Sequence, residues 1–123
     1  MPKFGDLENA IMTEVWQAGT PLLVREVLER LERGLAYNTV QTVAEILHRK
    51  GWLTKERDGR AFRYGSAVSR EAYVAGLVRE ALASTDDRTA ALVGFVEGME
   101  PDEADELHRL LSAARDRERG AEQ

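Results

Sequence analysis

Apolar residues fall at helical spacing over most of the chain and switch to alternation in one short stretch. Leu7, Ile11, Met12, Val15 and Trp16 lie on one face of a helix over about 7–17, with Asp6 placed to cap it and Ala18-Gly19 to end it. Thr20-Pro21-Leu22-Leu23 is too short for a helix and reads as a brief extended piece. Val24, Val27, Leu28 and Leu31 mark a second helix over 24–33, closed by Gly34. Val40, Val43, Ala44 and Leu47 mark a third over 37–50, closed by Gly51. Two helices joined by a short turn containing Gly form a helix-turn-helix pattern. The period then becomes strand-like over 52–57 and 60–65, with Phe62 and Tyr64 on one face and Arg63 on the other. Asp58-Gly59 between them predicts a two-residue type I′ hairpin.

A composition shift at 66–69 introduces three further amphipathic helices: about 69–83, 87–98 and from Pro101 to about Ala114. The predicted fold is mainly α with a small β-hairpin. A winged helix-turn-helix domain occupies 1–66, a three-helix dimerisation domain 67–115, and a frayed polar tail 116–123. Fifty residues in three helices are too few for a core of their own. They must cover their apolar faces on a second copy or on the winged helix of the same chain. A second copy is the simpler partner, because symmetric dimers are common and DNA readers of this shape use two half-sites. The interface candidates are Tyr73, Leu77, Leu82, Leu92, Phe95, Val96, Leu107, Leu110 and Leu111.

Charge sharpens this division. The net charge is −5, yet residues 1–65 carry ten basic and nine acidic side chains and the remainder seven and thirteen. Within 49–63, six basic residues stand against Glu56 and Asp58. Local charge, not the total, neutralises phosphates. The chain has no Cys and only two His, which excludes disulfides, thiolate metal sites and Cys nucleophiles. There is no Gly-rich phosphate loop, no triad and no calcium-loop spacing, so neither an enzyme nor a cofactor is expected. No apolar run is long enough to span a membrane, and the start, Met1 to Asp6, lacks a leader's apolar region, so a cytoplasmic protein is expected.

The third helix is the candidate reader. Its outer face mixes Asn38, Thr39, Gln41 and Thr42, short polar side chains that can pair with base edges in a major groove. Tyr37, Arg49 and Lys50 at its ends suit phosphate. Lys55, Arg57, Arg60 and Arg63 make the hairpin a basic wing. Glu45 is out of keeping with this face; it pairs with Arg49 one turn on or accepts from a cytosine amine. The predicted partners are double-stranded operator DNA and a second copy, with no small-molecule ligand evident. A winged helix that instead binds a protein is the competing reading.

Four stretches in order resemble the BlaI/MecI/CopY penicillinase-repressor family: residues 5–16; Ala36-Tyr37-Asn38-Thr39-Val40-Gln41-Thr42-Val43; Lys50-Gly51-Trp52-Leu53 with Arg60-Ala61-Phe62-Arg63-Tyr64; and Ala91 to Glu97. The resemblance implies a homodimeric repressor on palindromic TACA/TGTA operators, controlling β-lactam-response genes and its own operon. It places Thr39 and Thr42 against DNA. It also implies release through cleavage by a membrane-bound sensor metalloprotease in the second carboxy-terminal helix, here at Gly94-Phe95. Gly94 departs from the Asn that typically precedes that bond, and Ile46 stands where many members carry Arg. The copper-responsive branch uses a carboxy-terminal Cys cluster that this chain lacks.

Overall fold

The computed structural model describes residues 4–121. The first three positions of the amino-terminal segment and the last two of the predicted tail lie outside them. The chain divides into two compact units, one reaching Arg79 and one starting at Glu80.

In the first unit, α1 (Asp6–Ala18), α2 (Val24–Leu31) and α3 (Tyr37–Arg49) are packed with β1 (Leu22–Leu23), β2 (Leu53–Asp58) and β3 (Ala61–Ser66). The order in the antiparallel sheet is β1-β3-β2. The brief extended piece therefore becomes a third strand, pairing Leu22 with Tyr64 and Leu23 with Arg63. Ile11, Met12, Val15, Val27, Val40, Ala44, Leu47, Leu53 and Tyr64 fill the core between helices and sheet. Each large apolar side chain fully buried there contributes about 1.5–3 kcal/mol.

Several boundaries differ from those the sequence predicts. Gly5, not Asp6, stands at the start of α1, where its N–H donates to Glu8 Oε1 at 3.1 Å. The second helix stops at Leu31 because Glu32 turns left-handed, at φ 51°. The connection to α3 then runs through Gly34, also at positive φ. The hairpin loop is Gly59-Arg60, since Asp58 still pairs with Ala61. Only Gly59 has positive φ, which suits a II′ turn; a I′ turn needs it at both central positions.

Helix α4 (Arg70–Ala83) starts where the Ser69 hydroxyl accepts from the Ala72 N–H. Its Tyr73, expected at an interface between copies, is instead only 6% exposed inside the first unit. The ring stacks on Phe4 at 4.3 Å between centroids, meets Trp52 edge-on, and its hydroxyl accepts the Phe4 N–H at 3.0 Å. Leu77 is partly buried against the same core. The amphipathic pattern reports that these positions are covered, not by which molecule, and here the chain's own aromatic cluster covers them.

The second unit contains α5 (Arg88–Glu97) and α6 (Pro101–Ala121). The Asp87 carboxylate caps α5 by accepting from Ala90 N–H, and Glu103 accepts from Glu100 N–H at the start of α6. Helix α6 continues through the segment where the sequence suggested fraying, as far as Ala121. No residue of α5 or α6 is buried. No helix of the described residues is long and apolar enough to cross a membrane.

Candidate nucleic-acid interface

Burial of Val40, Ala44 and Leu47 sets the rotation of α3 and turns its opposite face outward. Tyr37, Asn38, Thr39, Thr42, Arg49 and Lys50 are exposed there, and Gln41 is half-buried. Asn38, Gln41, Thr42, Glu45 and Arg49 form one wall of an open groove whose other wall is Lys55 and Phe62 of the hairpin. The reading face and the wing thus meet in a single concave surface. Three neutral hydrogen-bonding side chains lie along it, with a cation toward the end of α3.

The strand register explains how the wing reaches the helix. Lys55 faces Tyr64 directly across β2 and β3, and Phe62 lies two residues along on the same face. That face looks onto α3. Lys55 Nζ donates to Glu45 Oε1 at 2.7 Å and sits 4.2 Å from the Phe62 ring centroid. The buried Tyr64 hydroxyl donates to the same carboxylate. These two donors hold the Glu45 carboxyl below its ordinary value, the Lys55 bond contributing most. Burial, reinforced by the Glu45 charge, pushes the Tyr64 phenol well above its usual range, so it remains a donor. The sequence offered Glu45 either Arg49 or a cytosine amine as partner; the sheet register supplies Lys55 and Tyr64.

Arg63 points from the other face of β3. Its Nε donates to Asp58 at 2.7 Å, and its Nη1 donates to Glu26 at 3.0 Å and to the Pro21 carbonyl at 3.3 Å. The bond to Asp58 is the largest of the influences that raise the guanidinium pKa. Glu26 also accepts the Leu23 N–H at 2.8 Å, and that bond leads in lowering its carboxyl pKa. Arg63 therefore ties β3 to the start of α2 and is not a free wing cation.

The remaining cations are differently placed. Arg57 donates to the Gly59 carbonyl at 3.2 Å, and both Arg57 and Arg60 are exposed near the hairpin tip. Lys50 lies 3.6 Å from Glu8 with more than half its side chain exposed, an arrangement that contributes at most about 1 kcal/mol. No group of His, Asp and Glu among the described residues could hold a metal ion.

In the second unit, Leu92, Phe95, Val96, Leu110 and Leu111 are exposed, while Leu82 and Leu107 are half-buried. Gly94 and Phe95 lie inside α5, and Phe95 is 59% exposed.

The family model described as Penicillinase repressor matches residues 4–113. The transcriptional regulator BlaI of Mycobacterium tuberculosis is 45% identical over 117 residues, which cover 91% of this chain and 85% of that protein. The solution structure of the DNA-binding domain of the repressor BlaI has a TM-score of 0.51 and 27% identity, covering 58% of this chain and 89% of that one. A structure of monomeric Bacillus licheniformis BlaI with the blaP half-operator has a TM-score of 0.48 at 27% identity, covering 58% of this chain and 89% of that one. The chain belongs to the penicillinase repressor family.

Proposed function

We propose that this protein is a transcriptional repressor that binds operator DNA as a homodimer, with α3 in the major groove and the hairpin against the backbone. One observation carries the reading: the outward face of α3, with Asn38, Gln41 and Thr42, opens into a single groove with the basic hairpin. Asn and Gln pair bidentately with adenine, and Thr bonds to a base or touches a thymine methyl. Thr39 stands beside them, exposed on the same helix. Tyr37, Arg49, Lys50, Arg57 and Arg60 take phosphate, while Lys55 and Arg63 brace the wing.

The dimer is supported by the second unit. Its helices bury no residue, and they leave Phe95, Leu110 and Leu111 each more than half exposed. Apolar faces of that extent call for a cover, and a two-fold axis gives the two-half-site arrangement DNA readers of this shape use. A TACA/TGTA palindrome and genes of the β-lactam response are the operator and targets that family membership suggests. Release through cleavage at Gly94–Phe95 by a membrane-bound sensor metalloprotease is a further part of this proposal. A glycine within α5 lowers the cost of opening that helix by about 1 kcal/mol.

Titrating the protein against a labelled palindromic duplex and a scrambled one, over a range of salt, tests the function. Operator binding falls log-linearly with salt, and the palindrome competes far better than the scramble. Absence of any shift at low salt, or equal competition by both duplexes, would leave the protein-binding winged helix as the better account.

A further inference from the structure

The cations of the wing and reading helix are not equivalent. Arg60 is exposed with no ion pair among the described residues, and Lys50 keeps only a long contact to Glu8. Lys55 is held differently. Its ammonium has a 2.7 Å charged bond to Glu45, rests on the Phe62 ring at 4.2 Å, and its side chain is only 23% exposed. Glu45 is itself fixed, because the buried Tyr64 hydroxyl donates to the same carboxylate. A short charged bond in a partly desolvated site is stronger and less screened by salt than one on an open surface.

A lysine on a wing ordinarily adds a phosphate contact, and such contacts supply nearly all sequence-independent affinity. Glu45 sits on the reading helix, where a carboxylate repels the phosphates around it. Its position is explained if its work is on Lys55. We propose that Glu45 is a specificity-determining residue that holds the Lys55 ammonium off the phosphate backbone, so that this wing cation braces the groove and adds no indiscriminate grip. This rests on the reading of α3 and the wing as a DNA-binding surface. Glu45 acts through Lys55 and is a positioning residue.

The test uses the full-length protein, a random-sequence duplex and a palindromic TACA/TGTA duplex, with folding of each variant checked by thermal unfolding. Glu45→Gln keeps the shape and an acceptor for Tyr64 but removes the charge that retains Lys55. On random DNA its log affinity falls more steeply with log salt than the wild type's, by about 0.9, the value of one added phosphate contact. Its ratio of palindrome to random affinity falls. Adding Lys55→Met to Glu45→Gln returns the slope to the wild-type value. An unchanged slope in Glu45→Gln overturns the proposal. So does a steeper slope that persists in the double variant, which would make Glu45 a simple repulsive charge. If the wild type binds neither duplex, the DNA reading itself fails and this inference falls with it, an outcome distinct from the other two.

Discussion

Glu45 and Gln41 lie one turn apart on α3 in different surroundings. Gln41 is half-buried in the groove, where the proposed reading has it meet a base edge. Gln41→Ala should cost about 1–3 kcal/mol on the palindrome with little change on random DNA, as measured by anisotropy titration. Equal losses on both would remove it from the base-reading set. Glu45 predicts a pH effect. Its folded-state carboxyl titrates below the ordinary value of 4.5 because Lys55 and Tyr64 donate to it. Stability from this contact is therefore complete above the usual carboxylate range and is lost as pH falls through the lowered value. Thermal midpoints measured from pH 6 down to pH 3 should fall less steeply in Glu45→Gln than in the wild type. Glu26, also lowered, keeps part of the acid sensitivity in both. Residue types on the reading face are legible from helical periodicity alone. The Glu45 partnership is not, because it depends on which strand residue the register brings over α3. Had Lys55 and Tyr64 been aligned as cross-strand neighbours, the shared face would have signalled it.

At the level of elements, helices are read well and connections less well. Period and capping residues locate all six helices of the described residues to within a few residues except at the end of α6. The sheet is harder, because a two-residue strand such as Leu22–Leu23 has no period of its own and exists only through its pairing with β3. The hairpin loop shifts by one residue for a similar reason: pairing extends to Asp58 and Ala61 and leaves Gly59 first in the turn. Its φ of 65° favours glycine, so Gly59→Ala should destabilise the first unit by about 1–2 kcal/mol. Urea unfolding checks this, and an unchanged midpoint would argue against the strained turn. The first turns of α4 have an anchor that can be cut by one atom. Tyr73→Phe keeps the stacked ring but leaves the buried Phe4 N–H without its acceptor. A loss of about 1–3 kcal/mol is expected in the same measurement.

For the whole molecule, the contrast between its two units is the main result. The first has a continuous apolar core; the second has α5 and α6 with no buried residue. The sequence pattern indicates that Phe95 and Leu111 must be covered, and the proposed cover is a second copy. Phe95→Asp together with Leu111→Asp should therefore yield a monomer in sedimentation velocity, with weakened operator binding and a folded first unit. A dimer that persists would place the interface elsewhere. Tyr73 illustrates the limit of pattern reading at this scale: an apolar stripe says that a face is covered, while the covering surface depends on distant residues such as Phe4 and Trp52.

The same aromatic cluster has a practical consequence for spectroscopy. Trp16 and Trp52 are the protein's two tryptophans, and both rings lie within 6 Å of the Tyr73 ring between centroids. Intrinsic emission therefore watches one place, where the start of α4 closes over the winged helix. Neither indole belongs to the hairpin strands, α5 or α6. A chain cut at Gly94–Phe95 would fluoresce much like the intact protein. Following that cut takes a label placed on the second unit, or a signal such as far-ultraviolet ellipticity that sees every helix.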